Sequence, residues 1–122
     1  MPSNIKPMKG IFNYLINISL KDVDLVDDAQ VLENYIIEIA RELNFSVLGK
    51  LSHKFTPIGV TSILLLKESH ISIHTWPEYG LGCIDVLTCS GKLEIPRLEY
   101  AVFNENLKIE VEKITEIERN KG

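Results

Sequence analysis

The sequence predicts an α+β fold: a two-layer sandwich of a mostly antiparallel sheet with two helices on one face, in the order β-α-β-β-β-β-α-β. Two observations carry this. Period-two apolar alternation marks a series of strands, and the middle four, between Phe45 and Thr88, are joined only by short turns. Helical spacing appears once before that cluster and once after it. Strands grouped so closely pair antiparallel, and helices outside them cover one face. The other face keeps part of its apolar alternation, so a homodimer is expected.

The elements follow in order. Met1 to Lys9 is polar and reads as a loose arm. From Ile11 to Leu20, Tyr14, Ile16, Ile18 and Leu20 share one face, with Asn13, Asn17 and Ser19 on the other. Asp27 or Asp28 is the expected N-cap of a helix running to about Leu43, whose stripe is Leu32, Ile36, Ile39 and Leu43. Glu33, Glu38, Arg41 and Glu42 should face water, and Asn44 suits the position past the helix end. Phe45 to Phe55 alternates with Val47, Leu51 and Phe55 on one face, and Thr56-Pro57-Ile58-Gly59 is a turn. Val60 to Lys67 is the most apolar strand and is expected at the centre of the sheet. Ile71 to Trp76, a Pro77–Gly80 turn and Leu81 to Thr88 follow. Ile95 to about Glu105 has helical spacing, with Leu98 and Val102 inward. Leu107, Ile109 and Val111 begin a last strand, and Glu116 to Gly122 reads as a charged tail.

The chain of 122 residues suits one domain, 1–122, with 45% hydrophobic and 25% charged residues. A net charge of −4 offers no footprint for nucleic acid or an anionic membrane. No stretch has the pattern of a signal peptide or the ~20 apolar residues of a spanning helix, so a cytoplasmic location is expected. Cys83 and Cys89 fall on one strand, roughly 20 Å apart, far beyond disulfide reach. Two free thiols are expected.

Chemistry concentrates in Lys67-Glu68-Ser69-His70-Ile71-Ser72-Ile73-His74-Thr75-Trp76-Pro77-Glu78. A strand ends in a Glu-Ser bond, and the next carries His70, Ser72 and His74 on one face. So many polar groups between apolar strands cost stability unless they pair or act. A hydrolase triad lacks its Gly-x-Ser-x-Gly elbow here. A zinc site built from His70 and His74 with Cys83 or Cys89 has suitable ligand types, without a supporting Cys-x-x-Cys or helical His pair.

The run Glu68 to Gly80 resembles the signature of the small pyruvoyl-dependent S-adenosylmethionine decarboxylases. His53 to Thr61 is similar to a second block of that family, and Ile84-Asp85-Val86-Leu87-Thr88-Cys89 to a third. The resemblance is dense from Leu51 to Gly91. It implies self-cleavage between Glu68 and Ser69 into chains of residues 1–68 and 69–122. Ser69 would attack the Glu68 carbonyl to form an ester, and elimination and hydrolysis would leave a pyruvoyl group at position 69. His74 matches the processing base, and Thr61 matches a hydroxyl that assists it. The pyruvoyl ketone would take substrate as a Schiff base and act as the electron sink for decarboxylation. No Lys stands in a recognisable pyridoxal phosphate motif, and no metal is expected. Cys89 matches the proton donor, a thiol of ordinary pKa ~8.5 being a workable acid. Phe55 matches an aromatic that stacks on adenine, and Glu78 a carboxylate that binds ribose hydroxyls. In relatives some of these contacts cross the dimer interface.

The resemblance also has gaps. Gly10-Ile11-Phe12-Asn13 lacks the His that relatives often carry, and Ser90 to Pro96 replaces their Asp-Pro-Trp. Cys83 reads as core, His53 as structural, and His70 and Trp76 as either packing or pocket wall. The expected function is a self-processing decarboxylase of S-adenosylmethionine, supplying the aminopropyl donor for polyamine (spermidine) synthesis. An arginine decarboxylase on the same scaffold and a cleavage-silent binding or activating homologue are the alternatives.

Overall fold

The computed structural model describes residues 9–120; the expected loose arm lies outside them but for Lys9. Six strands and three helices follow the predicted order, with one short helix added. They are β1 (Ile11–Leu20), α1 (Val23–Val26), α2 (Ala29–Glu42), β2 (Val47–Lys54), β3 (Val60–Leu66), β4 (Ser69–Trp76), β5 (Leu81–Thr88), α3 (Ile95–Val102) and β6 (Ile109–Asn120). Pro77–Tyr79 forms a single 3₁₀ turn between β4 and β5. The sheet runs β2-β3-β4-β5-β1-β6 with every pairing antiparallel. No helix among the described residues is long and apolar enough to cross a membrane.

The acidic segment after β1 makes two helix starts where one was expected. Asp22 accepts the Leu25 N–H at 3.2 Å and so caps a one-turn α1; Asp28 accepts the Val31 N–H at 3.0 Å and caps α2. Asn44, just past α2, takes φ +60, the left-handed conformation Asn tolerates. α2 lays Leu32, Ile36 and Ile39 over β2, β3 and β4, all fully buried in one core with Leu64 and Ile73. Burying each of these side chains contributes roughly 1.5–3 kcal/mol. β1 divides as predicted, with Tyr14, Ile16, Ile18 and Leu20 inward.

Several expectations need correction, each for a physical reason. The apolar β3 is second from the edge, and β4 and β5 form the centre. Its Ile63 and Leu65 remain 40% and 58% exposed because they face away from the helices. β2 is an edge strand, and Leu51 on it is 74% exposed. The residues of β2 that meet α2 are polar instead: Ser52 Oγ donates to Glu33 Oε2 at 2.8 Å and lies 2.6 Å from Ser62 Oγ. Glu33, expected in water, is therefore buried, with Lys50 Nζ 3.1 Å from its other oxygen. Asn13, on the face of β1 away from the helices, is also buried, donating to Asp85 and to the Val86 carbonyl. α3 stops at Val102, short of Glu105. Leu107 lies before β6, and most of the supposed charged tail is the end of β6, an edge strand whose charges blunt further pairing.

Glu33 yields a test. Hydrogen bonding from Ser52, ahead of the Lys50 charge, holds its carboxyl below the ordinary 4.5. A carboxylate depressed in the folded state stabilises above its ordinary pKa and loses that contribution as pH falls through the folded value. Glu33→Gln should lower stability near neutrality by about 1–3 kcal/mol. It should also flatten the decline below pH 4.5, read by urea unfolding at stepped pH.

Candidate active site

β3 passes to β4 through Lys67-Glu68, and three backbone contacts grip that junction. Lys67 N–H donates to the Ser46 carbonyl at 2.9 Å, and Ser46 N–H donates to Glu68 Oε1 at 3.1 Å. Cys89 N–H donates to the Glu68 main-chain carbonyl at 2.9 Å. The residue after that carbonyl, Ser69, has φ +145. A non-glycine residue there is strained by about 1–3 kcal/mol. Thus the Glu68–Ser69 peptide combines a hydrogen-bonded carbonyl, backbone strain and an adjacent hydroxyl. Chemically this is an amide prepared for attack at carbon. Ser69 is opposite Thr88 in the β4–β5 ladder, which brings the exposed Cys89 to the same end of the sheet.

The other end of β4 carries a second cluster. Thr61 and His74 face each other across β3 and β4, with Thr61 Oγ1 2.8 Å from His74 Nδ1. Both line a cleft of about 370 Å³ with Phe55, Gly59, Trp76 and Glu78. Phe55 is 46% exposed, an open aromatic face and not core. Its loop closes through Phe55 N–H donating to the Gly59 carbonyl at 2.8 Å. Asp27 fastens the loop from α1, accepting the Gly59 N–H at 2.8 Å while Lys54 Nζ lies 3.1 Å from its second oxygen. Gly59 sits at φ +112, and a Cβ there would come 3.3 Å from the Thr75 carbonyl. His53 packs edge-on against Phe55, ring centres 4.6 Å apart.

The chain therefore groups the predicted site residues into two sets. Glu68, Ser69 and Cys89 meet at one end of β4; Phe55, Thr61, His74 and Glu78 meet at the other. Ser69 and His74 are five positions apart on β4, about 16 Å at the rise of a strand. Trp76 lines the cleft. His70 instead faces Asp85, 3.8 Å away, on the sheet surface opposite the helices. Cys83 is half-buried on that same surface beside Asn17, not in the core. Among the described residues no three His, Cys, Asp or Glu side chains gather as a metal-holding group. Sequence reasoning missed Ser46 and Asp27, which act across 22 and 32 positions and leave no local pattern.

The architecture is that of a decarboxylase of known structure. The crystal structure of the adenosylmethionine decarboxylase from Aquifex aeolicus matches with TM-score 0.73 and 27% identity, covering 95% of this chain and 93% of that one. The chain belongs to the S-adenosylmethionine decarboxylase family, whose model matches residues 13–120. The S-adenosylmethionine decarboxylase proenzyme of Sulfurihydrogenibium is 41% identical over 103 residues, 84% of this chain and 75% of the relative. That of Thermodesulfovibrio yellowstonii is 30% identical over 105 residues, 86% and 77% of the two chains. The Pseudomonas aeruginosa proenzyme is 44% identical over 68 residues, and the match spans only 42% of its length.

Backbone strain at position 69 is measurable without any reaction. Ser69→Ala and Ser69→Gly both lack the hydroxyl, yet only glycine is at ease at φ +145. Ser69→Gly should unfold at higher denaturant than Ser69→Ala, by about 1 kcal/mol. Equal midpoints would mean the strain is absent in solution.

Proposed function

We propose that this chain is the self-processing proenzyme of a pyruvoyl-dependent S-adenosylmethionine decarboxylase. The observation that carries the reading is the Cys89 N–H on the carbonyl of a strained Glu68–Ser69 peptide. Ser69 Oγ adds to the Glu68 carbonyl carbon while the Cys89 amide stabilises the charge that develops on oxygen. The C–N bond breaks, the Ser69 nitrogen takes the hydroxyl proton, and residues 1–68 hang on Ser69 as an ester. A base removes the Ser69 α-proton and Glu68 leaves as a carboxylate. Water then displaces ammonia and leaves a pyruvoyl group at position 69, with residues 69–122 as the second chain. That group fits the local residues, since an exposed Cys89 adjoins it and the cleft of the second cluster has the size of a small-molecule site. Once formed, the pyruvoyl group supplies the carbonyl electron sink that decarboxylation of an α-amino acid requires. Cys89 holds the proton that replaces the departing carboxyl.

The base is His74, oriented by the Thr61 hydroxyl, and its distance from Ser69 along β4 requires a second copy. The sheet surface opposite the helices supports that assembly, with Leu15, Ile63, Leu65, Leu81 and Ile117 each more than a third exposed. Two such surfaces stack about 10 Å apart. A two-fold axis crossing the strands at the level of Ile71 and Ser72 sets His74 of the partner subunit over Ser69. Each substrate then spans two protomers. Phe55 offers its face to the adenine and the sulfonium charge, and Glu78 accepts from the ribose hydroxyls. Membership of the family favours this substrate over arginine and favours a processing chain over a cleavage-silent one.

Denaturing electrophoresis tests the first step: the purified chain should give fragments of 68 and 54 residues, and Ser69→Ala a single intact band. A wild-type chain that stays uncut would exclude the reading. Carbon dioxide should be released from S-adenosylmethionine and not from arginine. Complementation tests the shared site. Ser69→Ala and His74→Ala chains should each stay uncut alone, while their co-expressed mixture should cleave roughly half of the serine-bearing chains. No cleavage in the mixture would place both residues in one protomer's site.

A further inference from the structure

Cys89 opens the loop to α3, and that loop is tied at both ends. At its start the Cys89 N–H holds the Glu68 carbonyl. At its far end the Leu93 N–H donates to the Tyr14 phenol oxygen at 2.7 Å, and the phenol donates to Glu116 Oε2 at 3.0 Å. The other Glu116 oxygen lies 3.6 Å from Lys92 Nζ, so two successive loop residues meet one Tyr–Glu pair. Between the ends, Gly91 N–H donates to the Gly10 carbonyl over a longer 3.3 Å. Tyr14 and Glu116 are direct partners in the β1–β6 ladder, so the pair is set by sheet register rather than by flexible side chains. Tyr14 is fully buried, and burial pushes its phenol up to about 12, which keeps the proton it donates throughout the ordinary pH range.

We propose that Tyr14, backed by Glu116, is a positioning residue for both stages of the reaction. It sets the loop that brings the Cys89 N–H to the scissile Glu68 carbonyl before cleavage and the Cys89 thiol to position 69 afterwards. The proposal rests on the self-processing reading above. Hydrogen bonds weaken steeply with distance and angle, so small displacements of this loop act directly on the carbonyl contact. Without the phenol oxygen, the Leu93 N–H loses its acceptor in a buried setting and the loop must move to find another. The pair also joins residues of the future 1–68 chain to residues of the future 69–122 chain, so it persists as a tie after the cut.

The test follows cleavage of freshly purified full-length chains over time on denaturing gels. Tyr14→Phe and Glu116→Ala should lengthen the half-time by about fivefold or more. Glu116→Gln, whose amide oxygen still accepts from the phenol, should stay within about twofold of wild type. Tyr35→Phe is the control: its phenol is equally buried and donates to the Val102 carbonyl at 2.6 Å, away from the cut. It should lower the melting temperature and leave cleavage unchanged. In cleaved Tyr14→Phe, kcat for S-adenosylmethionine should fall with KM little changed, because Phe55 and Glu78 lie outside the loop that Tyr14 holds and come to the site from the partner subunit. Wild-type cleavage rates in both Tyr14→Phe and Glu116→Ala, with lowered melting temperatures, would overturn the positioning role and leave the parent reading intact. An uncut wild-type chain would overturn both.

Discussion

The register of the β4–β5 ladder is the constraint on which the site depends. Eight consecutive pairings, from Ser69 opposite Thr88 to Trp76 opposite Leu81, fix where Ser69 and Cys89 stand relative to each other. One further residue beyond Thr88 brings the Cys89 amide onto the Glu68 carbonyl. A slip by one position would turn every side chain of β4 to the opposite face. The fully buried Ile71, Ile73, Ile84 and Val86 oppose that slip, since each would have to leave the core. Packing on the helix side thus holds the geometry on which the chemistry relies.

The same strands explain why the site comes in two parts. A strand separates residues along its length as surely as it aligns them across its neighbours. β4 carries Ser69 at its start and His74 near its end, and no rotamer closes a gap of about 16 Å. The proposed face-to-face assembly would cover the apolar side chains of the open surface and join the two sets of residues carried on the same strand. Edge-to-edge pairing through β2 or β6 would leave Ile63 and Leu65 in water and the two halves apart.

The elements that could be read from sequence are those whose signal is local. Alternation in β1, β4 and β5, the helical stripe of α2 and the cap at Asp28 all survive because neighbouring residues determine them. What could not be read depends on distant residues. Glu33 looks like a solvent residue until Ser52 and Lys50 arrive from β2 to bury and neutralise it. β3 looks central because both its faces are apolar, yet it lies second from the edge and leaves Ile63 and Leu65 on an open surface. The charged end of β6 looks like a tail because edge strands carry charge for the same reason tails do. The motif residues themselves were visible as a cluster in sequence, but their division between two ends of the sheet was not.

Magnitudes decide which feature of the Glu68–Ser69 junction matters most. Strain of about 1–3 kcal/mol at Ser69, if fully released on reaching the transition state, is worth roughly 5- to 150-fold in rate. A single well-placed donor to a developing oxyanion is worth about 2.7–4 kcal/mol, or roughly 10²- to 10³-fold. The donor therefore dominates, with strain as an addition. It belongs to the main chain of Cys89, so at that position only proline removes it, and other side chains act on it through the β4–β5 packing or through the loop. That gives a buried tyrosine on β1 influence over a bond on the far side of β5, since it holds the loop that carries the donor.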